Sequence, residues 1–181
     1  MSRPAWLAVF LLTALAVCGQ EYQPVDREKS ITFRIKNFGI TVDGSFRGLS
    51  GTIHFDSSQP EQGKVDLWVD ATTVDTGIKL RNNHIKKKEY LDVESFPRIT
   101  IKSTGMRAGD KPQTWLLLAN LTIKGTSRGV NIPFNIEQTT PGAITFIGEF
   151  VINRRDYGVG GGSLSMADTL TIAFRVDTVS K

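Results

Sequence analysis

The sequence predicts an all-β protein, an antiparallel β-barrel of about eight strands with one short helix. Apolar and polar residues alternate one by one from Ser30 almost to the C-terminus, the period of a strand with one dry face and one wet face. Turn-forming pairs separate the alternating runs at hairpin spacing, and a single central stretch breaks the alternation.

The strands follow in order. Ile31, Phe33 and Ile35 alternate with Thr32, Arg34 and Lys36, and Ile53 and Phe55 flank His54. Val65, Leu67 and Val69 alternate with Asp66, Trp68 and Asp70, and Ile99 and Ile101 with Thr100 and Lys102. Leu121 and Ile123 alternate with Thr122 and Lys124. Ile132, Phe134 and Ile136 do so with Pro133 and Asn135, and Ile144, Phe146, Phe150 and Ile152 share one face. The last run sets Leu170, Ile172, Phe174 and Val176 against Thr171, Ala173, Arg175 and Asp177. Turns are expected at Asp43-Gly44, Gln62-Gly63, Gly109-Asp110, Lys124-Gly125 and Pro141-Gly142. Pro133 cannot donate a ladder hydrogen bond, which places it at a strand edge or a bulge. The outward faces are polar, so the chain is not an outer-membrane barrel, which is apolar outside.

The central break is predicted to be the helix. Asp75-Thr76-Gly77 offers a cap, and Ile78 to Leu91 has neither period 2 nor Gly or Pro. On a helical wheel Ile78, Leu80, His84, Ile85 and Leu91 share one broad side with Arg81 and Lys88 near its middle. Two cations facing an apolar surface call for partners. Lys88 is expected to snorkel and Arg81 to pair with a carboxylate such as Asp156, the other reading being a place at the mouth of a pocket, against an anionic headgroup.

With 181 residues and 40% hydrophobic content the chain suits one domain with a real core. Residues 1–19 read as a signal peptide: Arg3 is the basic start, and Ala5 to Val17 is almost wholly apolar. That stretch is shorter than the roughly 20 residues a membrane-spanning helix needs, so the mature domain, residues 20–181, carries no transmembrane segment and is exported to the periplasm or beyond. Cys18 is the only cysteine, which leaves the folded domain without a disulfide. Leu15-Ala16-Val17-Cys18 also resembles a lipoprotein processing box with a lipid anchor at Cys18. Val17 stands where such boxes prefer a small residue, and ordinary cleavage after Cys18 or Gly19 is the preferred reading.

Lys and Arg outnumber Asp and Glu by 22 to 18. The densest run, Lys86-Lys87-Lys88, has none of the interleaved aromatics that stack bases, and a nucleic-acid partner is not expected. His54 and His84 are the only histidines and form no metal-ligand spacing. There is no Gly-x-Ser-x-Gly elbow. Gly158-Val159-Gly160-Gly161-Gly162 leads into a strand rather than a helix, so it is a wide loop and not a phosphate cradle.

Several ordered motifs carry a resemblance. Thr73-Val74-Asp75-Thr76-Gly77, Arg81-Asn82-Asn83-His84-Ile85, Tyr90-Leu91-Asp92-Val93 and the run from Phe96-Pro97 to Thr104 are similar to the central signature of the YceI-like family. Leu121 to Arg128, Val151 to Gly158 and Phe46 to Asp56 resemble its further segments, and together the likeness covers residues 22 to 178. Asn82 or Asn83 stands where the family usually has an acid, Ile85 where it has leucine, and Ala119-Asn120 where it has a glycine. The resemblance implies a lipocalin-like barrel, periplasmic or secreted, that binds a polyisoprenoid or similar apolar lipid in an elongated cavity, without a cofactor for chemistry. A homodimer is compatible with it.

On this footing the protein is expected to be a lipid-binding, non-enzymatic carrier whose ligand is an isoprenoid lipid or quinone. Phe33, Phe46, Phe55, Phe134, Phe146, Phe150 and Phe174 are the expected apolar wall, and Arg81, His84, Arg154 and Tyr157 the expected polar end. The competing expectations are a structural or stress-protective envelope protein whose rings simply fill the barrel, and an enzyme acting on isoprenoids.

Overall fold

The computed structural model describes residues 19–140 and 143–181, so the leader with Cys18 and the Pro141-Gly142 turn lie outside the described residues. The alternating runs form nine strands: β1 Gln20–Pro24, β2 Ile31–Asn37, β3 Ile40–Phe55, β4 Lys64–Asp75, β5 Arg98–Ala108, β6 Thr114–Ile123, β7 Thr126–Thr140, β8 Ala143–Asn153 and β9 Met166–Ser180. One helix, α1, spans Lys79–Ile85 between β4 and β5.

Every pairing is antiparallel, and the β3–β4 pairing closes the ring β3-β2-β9-β8-β7-β6-β5-β4. This is the expected eight-strand barrel. The ninth strand is not an extra stave. β2 pairs with its neighbours only as far as Ile31, opposite Phe46 and Phe174, and β1 takes over the same gap between β3 and β9 farther along, through Tyr22 opposite Ile53 and Ser180. The barrel thus has two ends: one carries α1, the β2–β3 and β6–β7 turns and the loop from Gly158 to Ser165, and the other carries β1 and the C-terminus.

Turn chemistry follows the sequence at Lys124-Gly125, where φ values of 50° and 73° build a two-residue hairpin. It departs at Asp43-Gly44, which lies inside β3: Arg34 pairs with Asp43, and Phe33 with Gly44. The turn falls instead at Phe38-Gly39, with φ of 49° and 75°. Gly44 is a packing glycine, since a Cβ there would come within 2.3 Å of the Phe33 ring. Pro133 is neither at a barrel edge nor in a bulge. It pairs with Leu116 in an unbroken β6–β7 ladder, at the point where β7 and β8 part, for their register begins one residue later at Phe134 opposite Gly148.

The helix is shorter than the wheel predicts. It ends at Ile85, and Lys86-Lys87-Lys88 lie in the turns beyond it, which continue to Asp92 at a φ of 49°. Ile78 and Leu80 are 52% and 81% exposed, so the apolar side of the wheel is not buried as a unit, and only Ile85 and Leu91 pack against the core. A helix of two turns is too short to lay a full stripe on the barrel end, and side-chain bonds set its start instead. Asp75 accepts from the Gly77 N–H and the Asn82 amide at 2.8 and 2.9 Å, and Asn82 Oδ1 in turn accepts from the Thr76 N–H and hydroxyl at 2.8 and 2.6 Å. The Asp75 carboxyl is held below its usual range, first by the Gly77 N–H and then by Asn82.

Between Arg47 and Ser50 the β3–β4 register shifts, and Asp26 accepts the N–H groups of Gly48 and Leu49 there at 3.0 and 3.1 Å. Gly51 beside this bulge has a φ of 127°, and a Cβ on it would sit 2.0 Å from the Asp66 carbonyl oxygen. Gly51→Ala is therefore expected to lower stability by about 2 kcal/mol or more, because both the left-handed backbone and a main-chain clash oppose it. Urea unfolding measures this, and a midpoint equal to that of the parent would show that the seam accommodates a Cβ.

Candidate functional site

The barrel encloses a cavity of about 250 Å³ whose wall is almost wholly apolar and draws on every strand of the ring. At the β1 end it is shut by a plug of rings. Phe55 stands at the centre, with ring centroids 5.3 Å from Trp115, 5.9 Å from Phe134 and 5.5 Å from Phe146, and Tyr22 meets Phe146 at 6.2 Å. All four contacts are edge-on, the arrangement aromatic quadrupoles favour. At the opposite end Ile85, Tyr90 and Leu91 from the α1 segment, with Val159 and Met166 from the loop before β9, reach the lining.

Exposure along the wall shows which part is hollow. Leu49, Ile53, Leu117, Phe134 and Phe146, toward the plug, are buried. Phe33, Ile35, Phe150, Leu170 and Ile172 line the same cavity from β2, β8 and β9 yet are only half-buried. Side chains on the inner face of a closed barrel keep accessible surface only where space is left between them, so the rings do not fill this half.

Of the aromatic residues predicted for the wall, Phe33, Phe46, Phe134, Phe146, Phe150 and Phe174 line the cavity. Phe55 does not, because its neighbours Trp115, Phe134 and Phe146 enclose it in the plug. The aliphatic wall, above all Ile31, Ile35, Ile99, Ile101, Leu170 and Ile172, is absent from the predicted set. The signal was present, since these residues hold the inward positions of the same alternating runs as the phenylalanines.

The predicted polar end is not assembled. Arg81 does not reach Asp156: its Nε and Nη2 donate to the Thr76 hydroxyl and carbonyl at 2.8 and 2.6 Å, and it is not part of the lining. His84 is exposed, with its ring 4.8 Å from that of Tyr90, and is also off the lining. Tyr157 is 2% exposed and packs in the core without lining the cavity.

Arg154 does reach the lining, but it is a structural cation. Its side chain is 2% exposed, and its guanidinium is spent on the chain itself. Nε donates to the Ala167 carbonyl at 2.9 Å and Nη1 to those of Val159 and Gly161 at 2.8 and 2.9 Å, while Nη2 reaches the Met166 carbonyl at 3.2 Å and Asp168 at 3.0 Å. Asp168 is shared with Arg155 at 2.5 Å. Five donors on a rigid fork suit this duty, and a buried charge is tolerated because it is paired and its hydrogen bonds are satisfied. The glycine-rich segment is thus a wide loop wrapped around Arg154, tied to the α1 segment by the Gly160 N–H on the Glu89 carbonyl at 2.8 Å. Among the described residues no group of His, Cys, Asp and Glu is placed to hold a metal ion.

An eight-strand antiparallel barrel that keeps an apolar hollow and turns its polar groups outward has the architecture of the barrel binding proteins. Residues 22–178 match the YceI-like domain, and the chain belongs to that family. It is 32% identical over 130 residues to the UPF0312 protein YE1254 of Yersinia enterocolitica and 31% identical over 131 residues to Protein YceI of Salmonella arizonae, in both cases over 70% of this chain. The matched stretch spans 66% of the length of each relative, slightly under two thirds. Among solved structures the fold is similar to Burkholderia cenocepacia BcnA, with a TM-score of 0.76 and 24% identity over 86% of this chain and 95% of that one. It is likewise similar to a polyisoprenoid binding domain from Saccharophagus degradans implicated in plant cell wall breakdown, with a TM-score of 0.72 and 16% identity over 88% of this chain and 98% of that one.

Burial raises the Tyr157 hydroxyl above its ordinary value, with the Asp156 charge adding to the effect and Arg128 opposing it. A folded pKa above the unfolded one means that the contribution to stability is complete below about pH 10 and is lost as pH climbs through the folded value. Unfolding free energy is expected to fall with rising pH in that window, and Tyr157→Phe to flatten the slope. An unaltered slope in the variant would assign the loss to other groups, with Tyr22 shifted in the same direction.

Proposed function

We propose that the barrel binds one long apolar lipid of isoprenoid type, a polyisoprenoid or a quinone, and sequesters or carries it without chemical change and without a cofactor. The observation that carries this reading is the half-buried inner wall formed by Phe33, Ile35, Phe150, Leu170 and Ile172. Burying a methylene against such a wall is worth roughly 0.8 kcal/mol before the costs of ordering the guest, and the repeating methyl branches of an isoprenoid suit a wall of rings and branched aliphatics. Membership of the YceI-like family and the fold shared with a polyisoprenoid binding domain support the same reading.

The missing polar end sharpens it. With Arg154 saturated by carbonyls and Asp168, and Arg81 and His84 off the lining, no free charged group among the described residues faces the hollow. The cavity therefore selects the tail and leaves the headgroup outside. Action in the periplasm or beyond belongs to the same proposal, supported by the basic and apolar leader. A filled, purely structural barrel is the second reading, and the accessible inner wall speaks against it.

Native mass spectrometry of protein purified without detergent, followed by solvent extraction, tests the proposal. A stoichiometric isoprenoid or quinone is expected, and a bare mass that also refuses added isoprenoids would overturn it. Two substitutions separate cavity from core. Ile172→Trp adds volume to the hollow half, so it is expected to weaken uptake of an isoprenoid alcohol about ten-fold or more with little loss of stability. Phe134→Trp adds a smaller increment of bulk where the wall meets the packed plug and is expected to cost about 1–3 kcal/mol of stability. Equal binding by Ile172→Trp and the parent would show that the guest does not occupy the hollow half.

A further inference from the structure

The large apolar side chains that the fold leaves exposed are not scattered evenly. Phe38 is 80% exposed, Ile40 70%, Ile78 52%, Leu80 81% and Leu164 103%, and all five lie at the α1 end of the barrel. Phe38 and Ile40 form the tip of the β2–β3 hairpin, and the Phe38 N–H donates to the Ser165 carbonyl at 2.7 Å, which brings Leu164 beside them. Ile78 and Leu80 stand at the start of α1, just past the end of β4. Directly inside this rim are Ile35, Ile85, Tyr90 and Met166, the outermost residues of the cavity wall. Among the described residues the other two exposed large apolar side chains, Val151 and Val179, lie on separate strands, Val179 at the opposite end.

The same end is basic. Residues 78–91 hold Lys79, Arg81, Lys86, Lys87 and Lys88 against Glu89, five cations to one acid, a net of +4 that equals the formal charge of the whole chain. Asp92 and Glu94 follow this run. Among the described residues Lys79, Lys86, Lys87 and Lys88 enter no ion pair, whereas the sheet cations Arg34, Lys102 and Arg175 are each matched to a carboxylate. Exposed apolar tips ringed by free lysines are the composition of an interfacial membrane anchor. Two-fold pairing with a second copy through this face would set the lysine clusters against each other, so charge favours an anionic lipid surface as the occupant.

We propose that the α1 end of the barrel docks on an anionic phospholipid bilayer. Phe38, Ile40, Leu80 and Leu164 enter the boundary between headgroups and acyl chains, and Lys79, Lys86, Lys87 and Lys88 lie among the headgroups. The mouth of the cavity then opens onto the bilayer, and an apolar guest passes between the two without crossing water. The purpose given to this docking rests on the lipid-binding reading above, whereas the docking itself does not.

The test is co-sedimentation of residues 19–181, which contain every strand of the closed ring, with vesicles of phosphatidylcholine alone or mixed with phosphatidylglycerol. Binding to the mixed vesicles is expected and is weakened by salt. Each lysine near the surface is worth roughly five-fold in affinity, so the pair Lys79→Glu and Lys87→Glu is expected to abolish binding. Phe38→Ser with Leu164→Ser is expected to weaken binding at least ten-fold while leaving uptake of an isoprenoid alcohol from solution intact, because neither residue lines the cavity. Absence of binding to the mixed vesicles, binding indifferent to these substitutions, or a dimer in sedimentation equilibrium that they dissociate would each overturn the docking. Failure of isoprenoid uptake in a parent protein that still binds vesicles would sink the cargo reading and leave the docking standing.

Discussion

Closure of the sheet on itself is the constraint from which the other features follow. In the ring that β3–β4 pairing completes, main-chain donors and acceptors find partners in neighbouring strands, and the inner face owes no hydrogen bonds to anything else. Only under that condition can an interior be apolar, dry and partly empty at once. β1 and β2 share one position in the ring, and the aromatic plug lies at the β1 end. The ring is therefore packed tightly there, whereas at the other end the α1 segment and the loop before β9 reach the cavity wall.

The second organising element is a charge placed where charges are rarely tolerated. Arg154 follows β8, and the carbonyls from Val159 to Ala167 turn inward onto its guanidinium. A glycine-rich loop that could otherwise wander is given a fixed course, and its Gly160 N–H fastens the α1 segment across the barrel end. The same bonds consume the donors that a headgroup would need. Electrostatics at this end thus shape the loop, and the cavity wall is left almost wholly apolar.

The two ends of the barrel differ in kind. Aromatic rings packed edge to face close one end, and the cavity lies between half-buried aliphatic and aromatic walls. The α1 end presents exposed apolar tips and, among the described residues, lysines that enter no ion pair. Cross-strand ion pairs such as Arg34–Asp43 and Arg175–Glu137 neutralise the outer wall between them and contribute little to stability individually.

Much of this was legible in the sequence, because a strand writes its two faces into alternate residues. The runs through Phe33, Val65, Ile99, Ile132 and Leu170 specified an antiparallel barrel with polar walls, the ordered motifs specified its family, and six of the seven phenylalanines expected on the inner wall line the cavity. Alternation tells inward from outward, but not how far along the axis a residue sits. Only the tertiary structure could therefore separate Phe55 in the plug from Phe150 beside empty space. Local signals also lost to long-range pairing. Asp43-Gly44 reads as a turn, yet the ladder with β2 runs through it because Gly44 makes room for Phe33. The wheel over residues 78–91 supposes a helix long enough to bury a stripe, but side-chain bonds around Thr76 and Asn82 set its start and turn bonds such as that of the Leu91 N–H to the Ile85 carbonyl replace its second half. Partners of a cation are chosen by reach in three dimensions, which is why Arg81 settles on Thr76 and Arg154 on its own loop.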